Sequence, residues 1–106
     1  MQVKRKGQYC ILCPGSDLGV FQVSQRIDEA LHALKSDGNC NICVDLSTAP
    51  IIDSSVIGTL VKFYREMKSD DGELVIISAR NAAIEAMIKM HLDHVIRFVN
   101  SVEDLR

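Results

Sequence analysis

Apolar positions along the chain change period several times, and the changes mark the elements. Val3 and the run Tyr9-Cys10-Ile11-Leu12-Cys13 flank Gly7, which predicts a short strand, a turn and a second strand paired as an antiparallel hairpin. Pro14-Gly15-Ser16-Asp17 reads as a loop, with Ser16 and Asp17 as candidate helix caps. From Val20 to Lys35, apolar residues fall at Val20, Val23, Ile27, Ala30, Leu31 and Leu34, the spacing of an amphipathic helix that Gly38 would stop. Cys40 to Leu46 reads as a buried strand. A second helix opens at Asp53-Ser54-Ser55 with an apolar face of Ile57, Leu60, Val61, Tyr64 and Met67, and Asp70-Asp71-Gly72 closes it.

Glu73 to Ser78 predicts another buried strand. Asn81 can cap a third helix with Ile84, Met87, Ile88 and Leu92 on its face; Met87 and Met90 read as core packing. Val95 to Val99 predicts a last strand. Ser101 with Asp104 sits in capping-box spacing and predicts a short terminal helix. Alternating strands and helices imply a parallel sheet with right-handed crossovers, and the front hairpin adds an antiparallel member. The expected fold is thus α/β: a mixed four- to five-stranded sheet with about four helices, in one domain spanning residues 1–106. In such sheets, sites gather beyond the carboxyl ends of the strands, which directs attention to Ser47–Ser55.

Composition narrows the function classes. The 106 residues are 47% hydrophobic and 25% charged, with a net charge of −2, the balance of a globular protein rather than one that grips nucleic acid. The chain lacks Trp, which argues against a base-stacking surface. No apolar run reaches the ~18 residues of a membrane span, and no signal peptide is read at the basic start, so the expected location is cytoplasmic. Lys4-Arg5-Lys6 reads as a solvated strand edge, since Lys discourages unwanted pairing.

The cysteines form two CxxC pairs, Cys10/Cys13 and Cys40/Cys43. Both pairs lie in strand-like runs, where residues three apart point to opposite faces, so four thiolates would not converge on one zinc ion. The structural reading, small buried hydrophobes with no metal and no cofactor, is the expectation, with metal binding or redox sensing as the rival. His91 and His94 have spacing compatible with a metal, but no third ligand is evident in the sequence nearby. A Ser hydrolase using Ser54 or Ser55, a His, and Asp45 or Asp53 lacks a Gly-x-Ser-x-Gly elbow. A nucleotide pocket at the second helix lacks a Gly-rich loop and its Lys.

Asp53, Ser54 and Ser55 are three good N-caps in succession, where one helix needs one. A phosphate on a hydroxyl there is tolerated by the helix N-terminus and changes what can dock. At this segment the sequence Val44-Asp45-Leu46-Ser47-Thr48-Ala49-Pro50-Ile51-Ile52-Asp53-Ser54-Ser55-Val56-Ile57-Gly58-Thr59-Leu60 resembles the signature of the STAS domain family, which includes the bacterial anti-sigma factor antagonists. The likeness continues through Gly72–Ile77, Ile88–Phe98 and Ser101–Leu105, and the front third matches in outline.

The resemblance implies a non-enzymatic, phosphorylation-controlled switch. Ser54 would be the phosphoacceptor, with Ser55 the neighbouring candidate. Asp53, Ser54, Ser55, Val56, Ile57 and Gly58 would form the partner-binding surface. The implied partners are a serine kinase that is also the anti-sigma factor, bound when Ser54 is unphosphorylated, and a serine phosphatase. Val56 stands where the family often has Gly, so its side chain is expected either to narrow the docking surface or to mark a different class of partner. The alternatives are a STAS subunit of a larger signalling or transport assembly that works without phosphorylation, and a module sensing a small ligand such as a nucleotide or lipid.

Overall fold

A computed structural model describes residues 1–14, 23–47, 53–77 and 96–105. The expected caps Ser16 and Asp17, the third helix, and the His91/His94 pair lie outside the described residues. Within them the chain runs β1 (Gln2–Lys6), β2 (Tyr9–Cys13), α1 (Val23–Ser36), β3 (Asn41–Asp45), α2 (Ser54–Ser69), β4 (Glu73–Ile77) and β5 (Arg97–Val99), followed by a 3-10 turn at Val102–Asp104.

The five strands form one mixed sheet in the order β1-β2-β3-β4-β5. β1 and β2 are antiparallel, and β2, β3, β4 and β5 are parallel neighbours. Sheet order follows chain order. Right-handed crossovers that all step in one direction must place their helices on one face. α1 and α2 accordingly share one core. Val23, Ile27 and Leu31 of α1 meet Val56, Ile57, Leu60, Phe63 and Met67 of α2 over Leu12, Ile42, Val44, Leu74 and Ile76 of the sheet. The other face carries Tyr9, Ile11, Cys43, Val75 and Ile77, and Leu105 from the C-terminal segment joins them.

Polar bonds tie that second face together. Tyr9 Oη donates to Glu73 Oε1 at 3.3 Å and accepts from Arg97 Nη1 at 3.3 Å. Arg97 Nη2 also donates to the Asp104 carbonyl at 3.3 Å, holding the 3-10 turn against the sheet. Burial, then the nearby Glu73 carboxylate, raises the Tyr9 phenol above its ordinary pKa.

Two local expectations change, at the terminal helix and at the aromatic under α2. The expected terminal helix is a 3-10 turn. Ser101 does not cap it with its side chain, and its hydroxyl instead donates to Asp104 Oδ2 at 3.4 Å. On α2, the fully buried aromatic is Phe63, while Tyr64 packs at the rim of the core. The left-handed position after α2 belongs to Asp71 (φ +59°), not to Gly72. Gly72 serves close approach instead: a Cβ there would sit 2.9 Å from the Cys40 carbonyl oxygen and 3.2 Å from that of Met67. After α1, Gly38 holds φ +94°, as its place at the helix stop requires.

Candidate functional site

The carboxyl end of β3 and the start of α2 build the candidate site. The last bond of the β3–β4 ladder runs from Leu46 N–H to the Ile77 carbonyl at 2.8 Å. Asp45 then folds the chain back. Its Oδ1 accepts from the Ser47 backbone N–H at 2.9 Å and from Ser47 Oγ at 2.5 Å, an Asx turn closing the strand.

Asp53 begins the helix. Its backbone is extended, and its Oδ1 accepts from the Val56 N–H at 3.0 Å, while its carbonyl accepts from the Ile57 N–H at 3.1 Å. One of the three candidate caps therefore does the capping. Ser54 and Ser55 are freed from that task and stand exposed in the first turn of α2. Among the described residues their backbone N–H groups make no bond, and the helix N-terminus there carries its partial positive charge.

The expected partner-binding residues divide into two sets. Asp53, Ser54, Ser55 and Gly58 are exposed. Val56 and Ile57 are 1% and 2% exposed and point into the core. The helical period turns them under while the hydroxyls turn out. Val56 thus does not narrow the surface with its side chain; it anchors the helix beneath it. Gly58 is exposed, and a Cβ built on it would meet nothing within 4 Å, so packing does not demand a glycine there.

Sequence reasoning missed one part of this end of the sheet. A cleft of about 190 Å³ opens at the carboxyl ends of β3, β4 and β5, lined by Asp45, Ser47, Ile77, Asn100, Ser101 and Glu103, with Val102 beside them. The strand-end rule that singled out the residues after β3 applies equally to those after β5, and would have found Asn100 and Ser101. Its own backbone N–H, and then the nearby Ser101 hydroxyl, hold the Glu103 carboxyl below the usual range.

The rival chemistries can be placed on the same geometry. Asp45 and Asp53 are committed to backbone bonds, and His32 sits on α1 bonded to Asp28 and Glu66, so His32 joins neither serine in a catalytic array. The four thiols do not converge. Cys13 and Cys43 lie with Tyr9 and Ile11 on one sheet face, Cys10 alternates to the other, and Cys40 is exposed ahead of β3. Among the described residues no group of three or more His, Cys, Asp or Glu is placed to hold a metal ion. Among them, too, no helix is long and apolar enough to cross a membrane.

Comparison with solved structures finds the same architecture. TM1081, a candidate anti-sigma factor antagonist from Thermotoga maritima, superposes with a TM-score of 0.82 at 20% identity, over 97% of this chain and 88% of that one. The anti-sigma factor antagonist SpoIIAA in its unphosphorylated form gives 0.70 at 12% identity, over 97% and 90%. A Ser-to-Glu variant of RsbS from Moorella thermoacetica gives 0.70 at 16% identity, over 95% and 89%. At these identities the likeness is one of fold. The family itself follows from the sequence match, for the STAS domain model, which describes a non-catalytic regulatory family, covers residues 1–105, and the chain belongs to that family.

Proposed function

We propose that this STAS domain is a phosphorylation-controlled protein-binding switch, with Ser54 as the phosphoacceptor and Asp53, Ser54, Ser55 and Gly58 as the surface a partner reads. The observation that carries the reading is the division of labour at α2. Asp53 caps the helix, and the exposed Ser54 hydroxyl makes no bond among the described residues.

The chemistry asks little of the domain itself. A partner kinase, which is also the anti-sigma factor, supplies catalysis; the domain supplies a hydroxyl on a rigid helix end. A phosphate on Ser54 brings nearly two negative charges to a place where unpaired N–H groups and the helix dipole favour them. The fold is retained, while the charge and shape presented beside Asp53 change. A partner fitted to the bare serine loses its contact without any rearrangement of the core, and a serine phosphatase restores it.

The test is peptide mapping by mass spectrometry of the protein isolated from its native host, with Ser54→Ala alongside, and pull-down by Ser54→Ala and Ser54→Asp baits. Phosphate on Ser54, absent from the Ala variant, with a kinase retained by the Ala bait and lost by the Asp bait, is the expected result. Phosphate confined to Ser55 moves the acceptor by one residue. Unmodified serines together with a partner that binds both baits alike would replace the switch by an assembly subunit that needs no phosphate.

A further inference from the structure

β1 is a regular strand with an unused side. It pairs with β2 without interruption from Gln2↔Cys13 to Lys6↔Tyr9, and among the described residues nothing pairs with its other edge. Four of its five residues are exposed, Val3 to 54%. It contains no Pro and no bulge, two of the usual devices that blunt an edge. Its protection is charge of one sign: Lys4, Arg5 and Lys6 are consecutive in a chain whose net charge is −2.

The hairpin sets which backbone groups face outward. Gly7 has φ +57° and Gln8 is not left-handed, the form of a two-residue type II′ turn closed by the Lys6–Tyr9 pair. The closing pair exchanges both of its bonds, and bonded pairs alternate with unbonded ones along an antiparallel ladder. Lys6, Lys4 and Gln2 therefore spend their backbone groups on β2, and Val3 and Arg5 present theirs to the open edge. The Lys4 and Lys6 side chains lie on the sheet face of Ile11 and Tyr9; neither is in a close ion pair among the described residues, and Lys6 feels the Glu103 carboxylate only at longer range. Arg5 donates to Asn39 Oδ1 at 2.8 Å, a neutral partner that leaves its charge uncompensated.

We infer that β1 is a docking edge for an acidic, extended segment of a partner protein, which adds a sixth strand on the outward groups of Val3 and Arg5 and sets carboxylates against Lys4 and Lys6. A second copy of β1 fits less well, because it brings three further cations to the same short edge, and the register that pairs Lys4 with Lys4 of the second copy sets them directly opposite. The open ladder selects an extended peptide backbone over a phosphate surface, which charge alone would also attract. The edge lies two strands away from β3, whose carboxyl end leads to the Ser54 site.

The test is an amide NMR titration of the protein with a synthetic peptide of alternating Glu and Val. Shifts centred on the Val3 and Arg5 amides, weakening as salt is raised from about 0.05 M to about 0.3 M, are expected. Val3→Pro removes an outward N–H that the β1–β2 ladder does not use, and should weaken binding about tenfold with the fold intact. Reversing both charges, Lys4→Glu with Lys6→Glu, should abolish binding of the Glu/Val peptide and admit a Lys/Val peptide; this arm stands even if the Pro variant unfolds. The inference is overturned if residues 2–6 show no shifts, or if an acidic peptide broken by Pro binds as well as the alternating one. Anionic phospholipid vesicles that bind the unaltered and Val3→Pro proteins alike, where the peptide does not bind, would overturn it in favour of a membrane surface.

Discussion

His32 Nε2 lies 2.7 Å from Glu66 Oε2 and joins α1 to α2 beside the edge of Phe63, whose ring is 5.2 Å away and nearly perpendicular. The other ring nitrogen, Nδ1, is 2.9 Å from the Asp28 carbonyl oxygen and 3.3 Å from its carboxylate. Every one of these partners is an acceptor. Both nitrogens can donate only when the ring is an imidazolium, so this geometry favours the charged form. The bond to the Asp28 backbone, with Glu66 and the Asp28 carboxylate behind it, raises the His32 pKa above 6.5 against the opposing effect of burial.

The sign of the pH dependence follows. A base whose folded pKa is raised contributes its full stabilisation below the unfolded value and loses it as pH climbs through the folded one. His32 and Glu66 side chains are 38% and 33% exposed, so solvent screening keeps the term to a few tenths of a kcal/mol, on the order of an exposed pair. Urea stability should decline modestly as pH rises past 6.5, and His32→Gln should flatten that decline. An NMR titration placing the His32 midpoint at or below the ordinary value would refute the assignment.

Asp53 should matter to stability and Ser54 should not. Asp53→Ala leaves the Val56 N–H without its acceptor and should cost about 1 kcal/mol. Asp53→Asn, which keeps an acceptor oxygen, should recover most of that. Ser54→Ala, at an exposed position whose side chain makes no bond among the described residues, should change stability by less than ~0.5 kcal/mol. Paired urea melts check all three. A large loss in Ser54→Ala would mean that the hydroxyl holds the helix, and would remove the observation on which the switch reading rests.

The parts legible from sequence were those fixed by short-range rules. β2 falls on Tyr9–Cys13 because an unbroken apolar run between turn residues has one reading, and the sheet's mixed character followed from the hairpin and the alternation after it. Where two positions competed, tertiary packing decided. Phe63 and Tyr64 are adjacent aromatics, and the one without a hydroxyl goes under α2 while the other keeps its polar end at the rim. Val56 looked like surface from the family pattern but is core from the phase of the helix. The cleft after β5 was hidden because it is assembled from three strand ends that are distant in sequence.

Gly58 and Gly72 should respond in opposite directions to the same substitution. Gly58→Ala adds a methyl to open space inside a helix, and should stabilise by about 0.5–1 kcal/mol. If a partner approaches the bare backbone there, the same change should weaken docking, so stability and binding would part company. Gly72→Ala drives a methyl to 2.9 Å from the Cys40 carbonyl, on a backbone already pinned by the Gly72 N–H bond to the Met67 carbonyl at 2.6 Å. It should destabilise by about 1–3 kcal/mol, the cost of overpacking. Thermal melts of the two variants separate a glycine kept for packing from one kept for other reasons.

The four thiols should differ sharply in reactivity. Cys43 is fully buried on β3, and burial, then the Asp45 carboxylate, pushes its thiol up to about 12 from an ordinary 9.0. The thiolate is the nucleophile, so its reactive fraction at neutral pH falls about a thousandfold before access is considered. Cys13, half-buried on the same sheet face, is raised for the same two reasons in the same order. Cys10 is buried on the opposite face, and Cys40 alone is exposed, its thiol 3.7 Å from the Gly38 carbonyl. Iodoacetamide on the folded protein should therefore give a single fast adduct at Cys40, a slow one at Cys13, and none at Cys10 or Cys43 until urea is added. Peptide mapping of the time course distinguishes the sites. Labelling of Cys43 at the rate of Cys40 in the folded state would mean that the far face of the sheet opens, and that Leu105 and the 3-10 turn do not keep it closed.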